Sequence, residues 1–360
     1  MPAFVSRLDV NSDAYQKNRS EQLENIELLR QLQARAKAAS EKRRPRFEER
    51  GQLTPRDRLA RLLDVGMPFV ELFNLASYCV DDSNRETSLP GASILAGIGY
   101  ISGVRSMICV DDSGINAGAA TERGFDKLTA CIQIAISNKL PFIHLVESAG
   151  ANLMAYKIEG WAYAGRVFYS LAKASAAGVP TFTILHGPST AGGAYMPGMS
   201  DYNVGVKNNG MAALGGAALV QAATGEIADE RELGGTEMHA SVSGLMEHLA
   251  EDDADGIHKM RELVGRLGWN SHCPPTPQRE FLDPLYDKEE ILGLVPTDYK
   301  VPYDSRELIA RLVDGSDFIE FSNRFGTNLV CVHASIFGHD VALVANNGPM
   351  GPDEAAKGAH

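Results

Sequence analysis

An internal repeat is the feature that most limits how this 360-residue chain can fold. The stretch Arg56–Phe73, RDRLARLLDVGMPFVELF, recurs with one residue of slack as Ser305–Ser322, SRELIARLVDGSDFIEFS. A strand pair follows each copy, GIGYISGVRSMICVDD in the first and VHASIFGHDVALVANN in the second. A third block, Thr121–Gly124 (TERG), is matched by Ala355–Gly358 (AAKG). Because three blocks recur in order, we expect one complete domain and the opening of a second copy that stops at His360.

Between the two copies, short apolar stretches alternate with helical patterns. We predict strands at Gly103–Asp112, Leu140–Ser148 and Val179–Leu185, since each is a short and mostly apolar run. Helices are predicted over Phe125–Asn138 and near Ile158–Ala177. This alternation is typical of α/β packing with largely buried strands. Each strand ends in a turn rich in Gly, Ala and Ser, so we expect the turns to share one edge of the molecule.

Charge, hydropathy and cysteine usage exclude several classes of protein. Asp and Glu number 46 against 34 for Lys and Arg, and this net charge of −12 argues against broad nucleic-acid binding. No apolar stretch reaches membrane-spanning length, and the first residues show neither a signal-peptide core nor a transit pattern. The five cysteines are scattered and never spaced C-x-x-C. We therefore expect a cytoplasmic protein with reduced thiols and without structural zinc or disulfides.

The stretch HGPSTAGGAYMPGMSD (His186–Asp201) follows the third predicted strand and contains the adjacent pair Gly192 and Gly193. Glycine permits close backbone approach and unusual dihedral angles, and a strand-to-helix turn leaves N–H groups without internal partners. Neither G-x-x-x-x-G-K-[ST] nor G-x-G-x-x-G fits the stretch, which disfavours a phosphate site. Two alternatives stay open: paired N–H groups that hold an oxyanion, and a tight corner for helix–strand packing.

No side-chain nucleophile or metal cluster stands out in the sequence. VESAGA and PSTAGG do not fit the G-x-S-x-G pattern of serine hydrolases. His186, His239 and His248 are isolated, and we interpret them as structural or surface histidines. The acidic runs EIADERELGG and EDDAD (Glu251–Asp255) are interpreted as solvated helix faces or caps. No group has metal-ligand spacing, so no bound metal is predicted.

Four stretches together resemble the carboxyltransferase (β) subunits of biotin-dependent acyl-CoA carboxylases. They are GQLTPRDRLARLLDVGMPFVEL, LVESAGANL, TAGGAYMPGMSDY and TGEIADERELGGTEMHASVSG. The last, Thr224–Gly244, is the most specific, and the ordered match runs from about Arg50 to His360. The family's usual DSGGA stands here as ESAGA (Glu147–Ala151), a departure that keeps the small-residue geometry. LVESAGANL and TAGGAYMPGMSDY are nearest to the subgroup that acts on 3-methylcrotonyl-CoA or geranyl-CoA, and propionyl-CoA and acetyl-CoA stay open as alternatives.

The resemblance implies a crotonase-like α/β fold, a ββα superhelix. It implies an acyl-CoA domain at 51–295, preceded by an N-terminal helical segment at 1–50 that the recurrence of Leu23, Ile26, Leu29 and Leu32 at every third residue predicts. Residues 296–360 would begin a biotin-side domain, which the repeat indicates is truncated.

The resemblance also implies roles for named residues. The amides of Gly192 and Gly193 would stabilise the thioester enolate oxygen, and Gly150 and Ala151 would line the CoA site. Arg46 and Arg50 stand where the family carries basic residues near the CoA phosphates.

In the mechanism that the resemblance implies, carboxybiotin releases CO₂, a biotin nitrogen takes a proton from the acyl-CoA, and the enolate attacks the CO₂. No side-chain base is required. Biotin is carried covalently by a biotin carboxylase/biotin carrier partner, and the full-length subunit is expected to form a homo-oligomer, the family hexamer. Three alternatives stay open: a crotonase-type hydratase or isomerase, a decarboxylase subunit of the same fold, and a truncated, non-catalytic CoA-binding or assembly subunit.

Overall fold

The structure, a computed structural model, describes residues 4–119, 121–150, 158–275 and 279–360. The chain divides into two compact units. The central unit is Gln31–Pro274, and the terminal unit combines Met1–Arg30 with Pro275–His360. The predicted division of the chain into 1–50, 51–295 and 296–360 stays a prediction.

Helices and strands are numbered separately in chain order. The helices are α1 (Asp13–Glu41), α2 (Arg44–Glu49), α3 (Pro55–Leu62), α4 (Glu122–Asn138), α5 (Ile158–Ala176), α6 (Tyr195–Gly198), α7 (Ala217–Thr224), α8 (Glu230–Gly234), α9 (Thr236–Met238), α10 (Asp253–Arg266), α11 (Ile291–Leu294), α12 (Ser305–Ala310) and α13 (Pro352–Ala359). The strands are β1 (Val70–Glu71), β2 (Ile94–Ile101), β3 (Val104–Asp111), β4 (Phe142–Ser148), β5 (Thr181–Thr190), β6 (Tyr202–Val206), β7 (Met211–Ala213), β8 (His248–Ala250), β9 (Phe318–Phe321), β10 (Leu329–Ile336) and β11 (His339–Asn346). Among the described helices, none combines the length and apolarity needed to cross a bilayer.

The sheet of the central unit confirms the predicted α/β architecture. Its strand order is β1-β2-β3-β4-β5-β6-β8, with β7 paired to the outer part of β5. Strands β1, β2 and β3 are antiparallel neighbours, and every pairing from β3 to β8 is parallel. The carboxyl ends of β4 and β5 therefore meet, with Ser148 opposite Ser189. The turns after these strands share one edge, as predicted.

Two apolar layers cover the two faces of this sheet. Helices α4 and α5 pack on one face through residues such as Leu128, Ile132 and Leu171. Helices α3 and α10 pack on the other through Leu62, Met260 and similar side chains. Successive side chains of a strand point to opposite faces of the sheet. Alternate residues of each strand therefore pack in different apolar layers.

Two predicted element limits differ from the structure for local reasons. Helix α4 begins at Glu122 rather than Phe125, because the Thr121 side chain caps it by accepting a 3.1 Å hydrogen bond from the Gly124 N–H. Strand β5 continues to Thr190 rather than ending at Leu185, because Pro188–Thr190 pair with β7.

The terminal unit repeats the opening of the central unit. Its three-stranded sheet, β9-β10-β11, is antiparallel throughout, as are β1, β2 and β3. Asp64 accepts hydrogen bonds from the N–H groups of Ser102 and Gly103 in the β2–β3 turn. Asp314 accepts the same two bonds in the β10–β11 turn, at 2.8 Å each. The sequence match of Asp64 with Asp314 therefore marks a shared turn.

In the third block of the repeat, the sequence alignment is displaced by one helical turn from the residues that are equivalent in the structure. Lys127 of α4 donates to the carbonyls of Gly91 and Ile94 at the start of β2. Lys357 of α13 donates to the carbonyls of Gly326 and Leu329 at the start of β10. The equivalent residues are thus the two lysines, and the pairing of Thr121–Gly124 with Ala355–Gly358 is wrong by four positions. A four-residue slip keeps a residue on the same helix face, which explains the false match.

Candidate active site

A cavity of about 820 Å³ lies in the central unit at the carboxyl ends of β3, β4 and β5. Much of its apolar lining comes from the loop after β3, from strand β4 and from helices α4, α5 and α6. These side chains include Ile115, Phe125, Leu128, Val146, Val167, Phe168 and Met196. The charged side chains in the described lining are all acidic: Asp81, Asp82, Asp111, Glu122 and Glu159. The cavity therefore suits an apolar group better than a phosphate.

Gly192 and Gly193 lie in a single helical turn, residues 191–194, between β5 and α6, and both line the cavity. In the hydrogen-bond pattern of a 3-10 turn, the N–H of Gly192 comes before the first bond, and the N–H of Gly193 is paired with the carbonyl of Thr190 at the start of the turn. N–H groups at the start of a helical turn beside a largely apolar cavity can stabilise an anionic oxygen.

The two glycines are not needed for their dihedral angles. The residue with a positive φ is Ala191, at +52°, a region that non-glycine residues rarely adopt. What Gly193 supplies is space, because a Cβ there would lie 2.6 Å from the Ser189 Oγ. A Cβ on Gly192 would meet only the Phe168 ring, at 3.7 Å. The unusual dihedral angle of this turn is thus at Ala191, one residue before the glycine pair.

Gly150 also lines the cavity, in the turn that follows β4. It has φ of +80°, where glycine is favoured, and its N–H donates to the Ser148 Oγ at 3.1 Å. Ser148 in turn donates to the Gly118 carbonyl at 2.7 Å, which joins this turn to the loop after β3. The Gly150 amide is therefore occupied, and the residue shapes the wall. Ala151 lies outside the described residues.

Arg46 and Arg50 are exposed, on α2 and directly after it, and neither lines the cavity. The described lining includes no lysine or arginine. Their predicted role near CoA phosphates stays a prediction.

A buried network of charged and polar groups lies on the opposite face of the sheet from the cavity. Arg58 pairs with both Glu147 and Asp253, and His186 Nδ1 lies 2.8 Å from an Asp253 oxygen. All four side chains are buried. Glu147 precedes the Gly150 turn and His186 precedes the Gly192–Gly193 turn, so the network holds both strand ends in place. Sequence reasoning missed it because its members are far apart in the chain.

Two interpretations of the sequence are corrected by this network. His186 is structural but not isolated, since it is fully buried against Asp253. Asp253 is neither solvated nor a cap; the cap of α10 is Asp252, which accepts from the Asp255 N–H. Burial lowers the pKa of His186. Burial alone would raise the pKa of Asp253, but His186 and Arg58 outweigh it and hold that pKa well below its usual range.

The other predicted histidine and acidic features follow expectation more closely. His239 Nε2 lies 2.7 Å from the Ala212 carbonyl oxygen and its Nδ1 2.7 Å from the Ser243 hydroxyl, which is a structural role. Asp229 caps α8 by accepting from the N–H groups of Arg231 and Glu232. Across the described ranges, no three His, Cys, Asp or Glu side chains are grouped to hold a metal ion.

Known proteins are similar to this chain in sequence and in fold. Residues 46–360 match the Carboxyl transferase domain. The chain is 41% identical, over 98% of its length, to a probable biotin-dependent acyl-coenzyme A carboxylase beta2 subunit of Mycobacterium tuberculosis. It is also 41% identical, over 93% of its length, to the biotin-dependent 3-methylcrotonyl-coenzyme A carboxylase beta1 subunit of that organism. The chain spans 65% and 63% of the lengths of these two relatives.

A solved structure is similar to this chain as well. The crystal structure of the beta subunit of P. aeruginosa geranyl-CoA carboxylase aligns with a TM-score of 0.90 and 46% identity, over 99% of this chain and 66% of that one. The predicted crotonase-like fold is thereby confirmed. With a domain match that covers most of its length, this chain belongs to the carboxyl transferase domain family.

Proposed function

We propose that this chain supplies the acyl-CoA side of a biotin-dependent carboxyl transfer. The acyl group occupies the cavity, and its thioester oxygen lies against the N–H groups of Gly192 and Gly193. The observation that carries the proposal is the position of these two glycines, which both line the cavity in the helical turn directly after β5. The names of the similar proteins, acyl-CoA carboxylase beta subunits, support the same reaction class.

The contribution of the chain is positioning, charge stabilisation and exclusion of water. Loss of a proton beside the thioester carbonyl places negative charge on its oxygen, and each aimed N–H donor is worth about 3 kcal/mol there. The two glycines suit this role because neither carries a side chain that would block the approach of a flat carbonyl. The apolar lining keeps water from the enolate. When bound, biotin on a partner subunit would supply the carboxyl group and accept the proton.

The remaining assignments belong to the same proposal. Gly150 and Ala151 line the CoA site, and Arg46 and Arg50 lie near the CoA phosphates. The acyl group belongs to the 3-methylcrotonyl or geranyl class, and residues 296–360 begin the biotin-side domain. The working enzyme is a cytoplasmic homo-oligomer that acts with a biotin-bearing partner.

The direct test is carboxyl transfer by the full-length protein with its biotin-bearing partner. Four acyl-CoAs are offered (3-methylcrotonyl, geranyl, propionyl and acetyl), and the carboxylated thioester is followed by mass spectrometry. We expect product from one of the two branched, unsaturated thioesters and none when the partner is omitted. Absence of product from all four thioesters would contradict the proposal. So would loss of CO₂ from a carboxylated thioester by a protein that carboxylates none of the four.

A further inference from the structure

The two copies of the repeat differ in one connection, the loop between the first two strands of each sheet. Phe73 and Ser322 come after the first strands and share a positive φ, +55° and +49°. Gly91 and Gly326 precede the second strands, and the carbonyl of each accepts a hydrogen bond from the equivalent lysine. Residues 74–90 therefore stand where the terminal unit has only three residues. We call residues 74–90 the inserted loop.

The inserted loop forms one wall of the cavity that holds the glycine turn. Its lining members are Ser77, Asp81, Asp82, Thr87, Ser88 and Leu89. Asp81 and Asp82 are exposed to water, whereas Leu89 is half-buried and is the apolar member of this set. The insertion thus adds a wall, with one apolar side chain in it, that the short loop of the second copy does not provide.

Hydrogen bonds to main-chain carbonyls hold the inserted loop in place. The Ser77 hydroxyl donates to the Leu89 carbonyl at 3.0 Å. Arg35 of helix α1 donates to the carbonyls of Arg85 and Ser88 at 2.7 and 3.0 Å. These bonds do not involve the Leu89 side chain, so the wall keeps its position when that side chain is changed.

The strand order places the inserted loop across the cavity from the glycine turn. The loop leads into β2, where Ile94 pairs with Asp111 at the carboxyl end of β3, so the loop and the glycine turn lie at the same edge of the sheet. Strands β3 and β4 separate β2 from β5. At about 4.8 Å between neighbouring strands, β2 and β5 are roughly 14 Å apart. An acyl group whose thioester lies at the glycine turn therefore reaches the inserted loop only if its chain is long.

Apolar side chains line the space between these two positions. Phe168 lies beside the glycine turn, since a Cβ on Gly192 would be 3.7 Å from its ring. Leu128 lines the cavity from α4, which packs against β2 and β3, and Ile94 lines it at the start of β2. The cavity volume of about 820 Å³ is within the range that encloses a ligand of drug size. A long hydrocarbon chain would be covered along its whole length, and a short one would leave Leu89 without contact.

We propose that the inserted loop selects a long, branched and unsaturated acyl chain of geranyl length, whose far end packs on Leu89. A chain as short as 3-methylcrotonyl does not reach this wall. The inference rests on the proposed function, because it places the thioester at Gly192 and Gly193. Leu89 then determines specificity and takes no part in the transfer itself.

The test measures kcat/KM of the full-length protein with its biotin-bearing partner for geranyl-CoA and for 3-methylcrotonyl-CoA. We expect the wild type to prefer geranyl-CoA by about tenfold or more, because the added methylene and methyl groups are buried. Leu89→Ala should lower kcat/KM roughly fivefold for geranyl-CoA and leave the value for 3-methylcrotonyl-CoA unchanged. A folding defect would lower both values together, so the ratio of the two values reports the contact itself.

Leu75 supplies the matched control, since it belongs to the inserted loop but is absent from the described part of the cavity lining. Leu75→Ala should leave the ratio of the two kcat/KM values unchanged. A wild type that does not prefer geranyl-CoA overturns the inference, as does a Leu89→Ala variant that lowers both values equally or neither. Transfer to neither thioester contradicts the proposed function instead.

Discussion

At the scale of single residues, Gly192 and Gly193 differ in the room that surrounds them. We expect Gly193→Ala to lower kcat for carboxyl transfer roughly a hundredfold, because its methyl meets the Ser189 Oγ at 2.6 Å and must displace the turn and its amides. Gly192→Ala, whose nearest neighbour is 3.7 Å away, should keep most activity. The measurement is kcat of the full-length protein with its partner, with melting temperature as the control for folding.

A double variant separates displacement of the turn from blockage of the substrate. Ser189→Ala removes the Oγ and leaves the Cβ of that residue 3.7 Å from the methyl. Combined with Gly193→Ala it should recover much of the lost activity. Similar activity in the two single glycine variants would show that the turn does not hold the oxyanion.

His186 gives the protein a specific sensitivity to acid. Burial lowers its pKa in the folded state, so the unfolded chain binds the proton first and stability falls as pH drops below about 6.5. The largest slope from one such group is about 1.4 kcal/mol per pH unit. Asp253 adds nothing to this slope between pH 7 and 5, because its depressed pKa keeps the carboxylate ionised there.

The matched variant is His186→Asn, whose amide can still donate to Asp253 but does not titrate. Urea unfolding between pH 7 and pH 5 should show a steeper loss of stability for the wild type than for the variant. Parallel profiles would mean that the folded protein tolerates a charged His186.

At the scale of elements, each copy of the repeat has a lysine that joins a helix to the start of a strand. Lys127 donates to the carbonyls of Phe73, Gly91 and Ile94, with the shortest contact at 2.6 Å to Ile94. Lys357 makes its 2.6 Å contact with the Leu329 carbonyl. Each ammonium thus ties a helix to the first residue of a central strand, and removing it leaves buried carbonyls without partners.

We expect Lys127→Met to destabilise the central unit by about 3 kcal/mol, the range for a broken buried charged contact. Lys357→Met should weaken hydrogen-exchange protection in β10 and leave β4 unchanged. The exposed Lys173 of α5 supplies the control, since Lys173→Met should be close to neutral. A neutral Lys127→Met would show that the carbonyls find other partners.

At the scale of the whole molecule, the two sheets differ in how well their residues are buried. Every residue of β4 is buried between two apolar layers. In the terminal unit the core is small, consisting of Ile309, Val313, Val330 and Val332, and β11 alternates between exposed and half-buried residues. Local opening costs less where fewer apolar contacts are lost.

We therefore expect hydrogen exchange to be slow in β4 and β5 and much faster in β9, β10 and β11. Exchange followed by mass spectrometry over seconds to hours measures both sheets in one sample. Uniform protection across the two sheets would show that the small core is stabilised by contacts other than its own.

The sequence by itself determined the features that are written in local patterns. The alternation of apolar strands and helices predicted the α/β sheet, and the repeat paired Asp64 with Asp314, which the structure then showed in equivalent turns. Gly192 and Gly193 were found because adjacent glycines after a buried strand are a local signal. Spacing along one chain is enough for such features, since their physical cause acts within a few residues.

Only the tertiary structure decided which distant residues meet. His144 and Asp111 are 33 positions apart in the chain, and Arg58 and Asp253 are 195 positions apart. No local sequence pattern therefore predicted either pair. The space that Gly193 preserves depends on where the Ser189 hydroxyl points. Such contacts follow from strand order and from the face on which each residue lies. Those are properties of the assembled sheet, because one residue of register moves a side chain from the cavity to the opposite core.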